Sequence, residues 1–256
     1  KPRFARVHVT GQGYGLTNEG FRGMGIRKDM QYNFSMQARQ HEGSNAKIRL
    51  ELTDAKGNVI GSATISPSGN KWNEYAATFK ATGTDAKARL NLWFDGKGVV
   101  DIDMVSLFPS ETWKNRRGGL RADLVQLLAD LKPGFLRFPG GCIVEGRDLE
   151  SRYQWKKTVG NVKDREMIIN RWNTEFAHRP APDYYQSFGL GFYEYFLLSE
   201  DLGAEPLPIL SCGMACQFNT AELVPMDRLD PYIQDALDLI EFANGPVTRK
   251  WGKLRS

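Results

Sequence analysis

Gly134-Phe135-Leu136-Arg137-Phe138-Pro139-Gly140-Gly141-Cys142-Ile143-Val144-Glu145-Gly146 runs a short apolar strand straight into a Pro-Gly-Gly turn that carries Arg, Cys and Glu. Glycines let the backbone take positive φ and come close to a ligand, and proline ends strand pairing. Polar residues just past such a strand stand where an α/β sheet or barrel presents its chemistry. Pro-Gly-Gly by itself reads first as a tight turn that merely joins strand to helix. Arg137 argues for more, because a cation at a strand end is costly unless a carboxylate or a ligand holds it.

Upstream of this stretch, Leu120, Leu124, Leu127, Leu128 and Leu131 fall on one face of a helix that stops at Lys132-Pro133-Gly134, which leaves residues 135–138 as the strand. A second unit follows: an aromatic-rich helix over residues 184–202, a stop at Gly203, and a strand over 206–210 entering Ser211-Cys212-Gly213-Met214-Ala215-Cys216-Gln217. A third helix starts at Asp230-Pro231, a cap followed by a first-turn proline, and stops at Asn244-Gly245-Pro246. Helices alternating with buried strands imply parallel βα units. A closed (β/α)8 barrel takes about 250 residues and eight strands, so the part after Pro109, with two clear strands, reads as an incomplete (β/α)8 TIM barrel and the chain as a piece of a larger protein. Residues 247–256 are expected to hold neither helix nor strand.

Before Pro109 the rhythm is different. Residues 31–38, 46–53, 59–65, 74–79, 86–94 and 99–107 alternate polar with apolar or aromatic side chains, and turns such as Asp54-Ala55-Lys56-Gly57-Asn58 and Asp95-Gly96-Lys97-Gly98 separate them. Strands at this spacing predict an antiparallel β-sandwich. The expected domains are therefore a sandwich over 1–108 and a partial barrel over 109–256.

Composition narrows the function classes. The 256 residues are 41% hydrophobic and 25% charged, as in a chain that folds, and the net charge of +4 is spread over 34 basic and 30 acidic side chains. The longest basic feature, Lys114-Asn115-Arg116-Arg117, is no nucleic-acid footprint. No apolar run approaches the roughly 20 residues of a membrane span, and no signal segment opens the chain, so no membrane partner is expected and the compartment stays open, a secreted or periplasmic one included. Cys142, Cys212 and Cys216 fit neither a disulfide framework nor a zinc pattern, and no metal is assigned.

With these residues in view, the region from about Trp113 onward resembles the early barrel segment of glycoside hydrolase family 51 α-L-arabinofuranosidases. The motifs that carry the resemblance are Gly119-Leu120-Arg121-Ala122-Asp123-Leu124, the 136–146 turn, Asn170-Arg171-Trp172-Asn173-Thr174-Glu175-Phe176, Ser187-Phe188-Gly189-Leu190-Gly191-Phe192-Tyr193-Glu194-Tyr195-Phe196, Ala215-Cys216-Gln217 and Glu241-Phe242-Ala243-Asn244-Gly245-Pro246. Residues 1–108 resemble the carbohydrate-binding-module-like sandwich that accompanies such barrels, chiefly through Trp72-Asn73-Glu74-Tyr75 and Val100-Asp101-Ile102-Asp103-Met104-Val105-Ser106-Leu107.

The resemblance implies a retaining hydrolase that removes terminal α-L-arabinofuranosyl groups from arabinan or arabinoxylan with no cofactor, using two glutamates about 5 Å apart. It implies that both stand at later barrel strands, outside this chain, and that the family's first strand would precede Lys1. It also implies that Arg137 orients the nucleophile, that Cys142 stands where many relatives place a sugar-touching asparagine, and that Trp172 stacks on the arabinose ring. Read without it, Cys142 is a buried thiol and Trp172 a core residue. Glu145 is the carboxylate nearest the turn, a ligand for sugar hydroxyls or a partner for Arg147. The partner implied is thus an arabinose-containing oligo- or polysaccharide, and a homo-oligomeric full-length protein stays open. The alternative function is a non-catalytic carbohydrate-binding module acting through the sandwich.

Other constellations carry less. A Cys142–His178 dyad lacks sequence support, and Gly11-Gln12-Gly13-Tyr14-Gly15 lacks the strand-then-helix context of a dinucleotide loop and reads as a flexible turn. Cys212 and Cys216 at four-residue spacing suit a shared helix face, but two thiols alone make no zinc site. Trp72 and Trp93 are expected in the sandwich core, with a sugar-stacking platform as the other reading. Asp101 and Asp103 fall short of the oxygens that calcium needs.

Overall fold

Period-two alternation builds the first half of the molecule. A computed structural model describes residues 4–175 and 185–255, which fall into two compact units, up to Leu127 and from Leu128 onward. The first unit contains β1 (Ala5–Val9), β2 (Tyr14–Asn18), β3 (Met24–Ile26), β4 (Gln31–Gln40), β5 (Lys47–Thr53), β6 (Val59–Ile65), β7 (Asn73–Lys80), β8 (Asp85–Asp95) and β9 (Gly98–Pro109). One sheet runs β1-β9-β4-β7 and the other β2-β8-β5-β6, with β3 also on β8, and the pairings are antiparallel. Along β4, Tyr32, Phe34, Met36, Ala38 and Gln40 are buried while their neighbours are only half-covered. They join Ile48, Leu50, Leu52, Leu90, Phe94 and Val100 in one core between the sheets, the expected sandwich.

The six strands read from the sequence lie within a residue or two of their expected ends. β1, β2 and β3 were not among them. β2 exposes all five of its residues and β3 has only three, so neither shows the alternation that marks a strand. Of the expected turn at Gly11–Gly15, Tyr14 and Gly15 already belong to β2. Gly15 pairs with Trp93, and a Cβ there would sit 2.7 Å from the indole Cε3, so the close approach requires glycine.

The outer faces of the sheets are polar and aromatic. Asp101 is fully buried on β9, where Arg6 from β1 and Arg39 from β4 lie directly opposite it and donate to its carboxylate at 2.7 and 2.8 Å; His41 Nε2 is 3.0 Å away. These partners, Arg6 foremost, hold the Asp101 carboxyl well below the usual carboxylate range despite its burial. The expected core position of Trp72 and Trp93 is not observed. Trp72 sits at the surface under Arg39, 4.8 Å from guanidinium to ring, and Trp93 is half-buried with its indole N–H donating to Glu51 at 2.7 Å. Trp93 occupies an outward position on β8 and Trp72 lies just ahead of β7, and each has a charged partner outside the core, a cation for Trp72 and a carboxylate for Trp93.

Helix α1 (Ala122–Asp130) spans the unit boundary in sequence. It buries Val125 and leaves Leu124, Leu127 and Leu128 exposed. The second unit then contains β10 (Phe135–Phe138), α2 (Gly141–Glu145), β11 (Ile168–Ile169), β12 (Tyr185–Gln186), α3 (Phe192–Leu202), β13 (Glu205–Pro208), α4 (Asp230–Asn244) and α5 (Lys250–Arg255). β10 and β13 pair in parallel, with Arg137 opposite Leu207, as βα units of a partial barrel require. β10 and α4 match their expected ranges, and β13 lies slightly earlier than its own.

Two expectations fail here. The helix expected from residue 184 begins only at Phe192: Tyr184 lies outside the described residues, Tyr185–Gln186 pairs with β11, and Phe188 at φ 57° breaks any helical run. Gly191 then starts α3 with its N–H donating to Glu194 at 2.8 Å. The C-terminal stretch expected to lack structure forms α5 instead, whose start is fixed by Trp251 N–H donating to Glu241 at 2.9 Å and whose Trp251 side chain is buried. Aromatic packing rather than periodicity holds that helix.

The core of this unit is aromatic. Phe138 stacks on Tyr195 at 4.8 Å and meets Phe192 and Phe196 edge-on, and Trp155 lies 5.5 Å from Phe242 and 5.0 Å from Trp251. Burial accordingly pushes the Tyr153 and Tyr195 phenols up. Arg165, nearly inaccessible, donates to both oxygens of Glu194 at 2.8 and 2.9 Å and to the carbonyls of Gly160 and Phe188, so this buried cation is fully paired. Among the described residues no helix is long and apolar enough to cross a membrane.

Candidate functional site

Strand alternation decides where Arg137 points. Leu136 and Phe138 pack into the aromatic core against α3, so Phe135 and Arg137 face the other way and are exposed. Arg137 makes no hydrogen bond or ion pair among the described residues. A guanidinium at a strand end, aimed away from the helical layer, is available for an anionic or polyhydroxylated partner.

The Pro139-Gly140-Gly141 turn leads directly into α2, with Gly140 at φ 115°. Cys142 and Glu145 stand three residues apart on that short helix and so share a face. Gly146 at φ 72° ends it, and a Cβ there would meet Arg152 N at 2.7 Å, so the chain can turn back only through glycine. The turned backbone becomes an anchor: Gly146 C=O accepts from Cys216 N–H at 3.1 Å, and Arg147 C=O accepts from the Thr220 hydroxyl at 2.9 Å. The loop after β13 is thereby fastened to the end of α2.

That fastening brings Cys142, Glu145 and Cys216 together, with their ligand-capable atoms all within 4.8 Å of one another. Cys216 is fully buried, Cys142 and Glu145 half-buried, and Glu145 Oε2 is shielded from solvent without a hydrogen-bond partner. Burial pushes the Cys216 thiol up, with the Glu145 carboxylate adding to the rise, while the Phe218 main chain and, after it, the Arg171 charge pull it the other way. Glu145 forms no ion pair with Arg147 among the described residues, so of its two expected roles the pairing is not observed.

Trp172 lies in the short 3-10 turn Arg171–Glu175 and is half-buried, neither a core residue nor a free platform. The Arg171 guanidinium covers its ring at 4.7 Å, and the Trp172 backbone N–H donates to Asn170 Oδ1 at 3.0 Å. Asn170 is buried, with Nδ2 left unpartnered. Arg171 Nε donates to Asn219 Oδ1 at 3.0 Å, which ties this turn to the loop that carries Cys216.

Of the four expected site residues, the structure joins Cys142 and Glu145 directly and connects Trp172 to them through Arg171, Asn219 and the Cys216 loop. Arg137 stands at the end of the strand that feeds the turn. Sequence reasoning missed Cys216, Arg171, Asn170 and Asn219 as participants. The Asn170-Arg171-Trp172 and Ala215-Cys216-Gln217 runs marked the right segments, but pairing Cys216 with Cys212 pointed the wrong way: residues 211–217 form no helix, and Cys212 is exposed. His178 lies outside the described residues. In the sandwich, a surface cavity of about 510 Å³ is lined by residues including Gln40, His41, Asn45, Ser66, Ser68 and Asn70. Asp101 has its oxygens taken by Arg6, Arg39 and His41.

Comparison with known proteins identifies the family of the chain. The family described as "Alpha-L-arabinofuranosidase 1 domain" matches residues 127–256, and a "Carbohydrate binding domain" family matches residues 7–97. An extracellular exo-α-L-arabinofuranosidase of Streptomyces chartreusis is 41% identical over 96% of this chain, which spans 30% of that relative's length. α-L-Arabinofuranosidase 1 of Arabidopsis thaliana is 33% identical over 95% of this chain and 34% of its own. A solved arabinose-bound family 51 α-L-arabinofuranosidase superposes on 99% of this chain and 40% of its own at a TM-score of 0.84 and 30% identity. The chain thus spans about a third of the length of the relatives that it matches.

Proposed function

Because the chain belongs to the glycoside hydrolase family 51 α-L-arabinofuranosidases, we propose that it is part of a retaining enzyme that removes terminal α-L-arabinofuranosyl groups from arabinose-containing polysaccharides. Residues 134–146 and 170–172 form one wall of its sugar subsite. The observation that carries this reading is Arg137: exposed, on the strand face turned away from the helices, and next to a Pro-Gly-Gly turn. There its guanidinium holds a catalytic carboxylate ionised and oriented, and the Trp172 ring, already positioned by Arg171, offers an apolar face to the furanose.

The chain does not carry out the reaction by itself. Retention needs two carboxyl groups about 5 Å apart, one as nucleophile and one as general acid and base. The Cys142 cluster holds one carboxylate, Glu145, and the loop after β13 has none before Glu222, whose Oε2 already accepts from Leu149 N–H at 2.9 Å. A pure sample of these 256 residues should therefore leave an aryl α-L-arabinofuranoside unhydrolysed. Robust turnover would overturn the reading. In the complete enzyme, Arg137→Ala should cut kcat on the order of a hundredfold with little change in KM, the pattern of a lost group that acts in the transition state.

A second reading rests on the sandwich, where the match to a carbohydrate binding domain and the His41–Asn70 cavity point to a glycan-binding role of its own. Titration calorimetry with arabino-oligosaccharides separates the two. Heat that survives Arg137→Ala and Trp172→Ala unchanged favours the sandwich; heat lost with them favours the barrel wall.

A further inference from the structure

We propose that Cys142, Glu145 and Cys216 form a binding site for a thiophilic divalent cation of the zinc type. Three potential ligands from two distant segments converge within 4.8 Å of one another, and main-chain hydrogen bonds fix both segments: Cys216 N–H to Gly146 C=O, and Tyr153 N–H to Val144 C=O. The cluster is therefore built by the fold and not by chance contact of mobile side chains. Glu145 Oε2 is enclosed and unpartnered, an arrangement that costs free energy in a buried carboxylate and that a cation would relieve.

The donor set selects the ion. Two sulfurs and one carboxylate oxygen suit zinc or cadmium and are wrong for calcium or magnesium, which take oxygen ligands. Zinc–sulfur and zinc–oxygen bonds of about 2.3 and 2.1 Å put tetrahedral ligands a little under 4 Å apart, so the present spacing, at most 4.8 Å, exceeds that of a bound ion by no more than about 1 Å. Both thiols must lose their protons on binding. Two thiolates and one carboxylate give three negative charges against two positive ones, so the occupied site would carry one net negative charge. Three protein ligands leave the fourth position open to water or to a hydroxyl of a bound sugar. Occupied in this way, the site would tie α2 to the loop after β13.

Cobalt(II) tests this in the intact 256-residue chain, first stripped with a chelator and kept under a phosphine reductant that does not bind the ion. One equivalent should produce thiolate-to-cobalt charge-transfer absorption, and zinc should bleach it. Cys142→Ser and Cys216→Ser should each abolish the band. Glu145→Gln should keep some absorption with about tenfold weaker binding, in line with the effect of losing a supporting ligand contact. Cys212→Ser, which alters the exposed third cysteine, should change nothing. Because Cys216 is buried, the near-ultraviolet circular dichroism of its variant is compared with the parent, and Cys142→Ser, at a half-buried position, carries the test if Cys216→Ser misfolds. No charge-transfer band with all three thiols titratable overturns the proposal, as does a band lost in Cys212→Ser but kept in Cys142→Ser. A Cys142–Cys216 disulfide that survives the reductant also overturns it and assigns the pair to redox chemistry.

Discussion

The sandwich and the barrel segment solve the same problem of burial in opposite ways. Two sheets close over one another, and residues such as Phe34, Ile48, Leu50 and Phe94 are wholly covered from both sides. The barrel segment covers one face of the β10–β13 pair with aromatic helices and leaves the other open: Phe135 is 60% exposed and Leu207 45%, and α4 shows Ile233, Leu237 and Ile240 to solvent. Exposed apolar surface of this kind marks a face that needs a partner. The lesson is that a β-sandwich is complete at two sheets, whereas a βα arc buries only the side its own helices reach.

The sharpest way to break the contrast is to separate the halves. Residues 4–120 should unfold cooperatively in denaturant, with fluorescence and circular dichroism transitions superimposed, while residues 121–255 should bind a hydrophobic dye and unfold without a sharp transition. A cooperative barrel half that ignores the dye would show that its open face is no liability. Within the intact chain, Arg165→Ala should be the most damaging single change, about 3 kcal/mol by denaturant titration, because it strands the Glu194 carboxylate that also accepts from Gly191 N–H just ahead of α3.

Asp101→Asn should follow at about 2 kcal/mol in the sandwich. Its pH dependence has a definite sign. The folded Asp101 carboxyl lies well below the usual range and the unfolded one near about 3.9, so its contribution is complete above that value and fades as pH falls through the folded one. The stability gap between parent and variant should therefore be constant from pH 5 to 7, to within about 0.5 kcal/mol, and should narrow below about pH 4. A gap that widens in acid would contradict the ion-pair account. Arg121→Ala stands at the small end: its pairing with Asp123 is exposed, and the midpoint of thermal unfolding should not move measurably.

The same contrast explains what could be read from the chain alone. Sandwich strands such as β4 advertise themselves because every second residue is buried, and β10 and α4 because Pro, Gly and Asp mark their ends. Where burial is irregular, reading failed: β2 is exposed throughout, α5 is held by Trp251 against a distant aromatic core, and Phe188 breaks a run that composition would continue as helix. The candidate site was half legible. Arg137, Cys142 and Glu145 share one stretch, but nothing local announces that Gly146 turns the chain so that Cys216, 74 residues after Cys142 (216 − 142), arrives beside it. Such a convergence is a property of the turn, not of either segment.

The tryptophans have a practical corollary in light emission. Trp155 is sealed among Phe192, Phe242 and Trp251, with its indole N–H held by the Asp235 carbonyl at 2.9 Å, and it should emit at short wavelength. Its ring, 5.0 Å from that of Trp251, should give an exciton signature that vanishes as soon as the two drift apart. Trp72 is exposed beneath a guanidinium and Trp93 is bonded to a carboxylate, so both should emit toward the red and quench readily. The short-wavelength emission of Trp155 and its coupling to Trp251 thus mark the aromatic core, and their loss during unfolding should report when that core lets go.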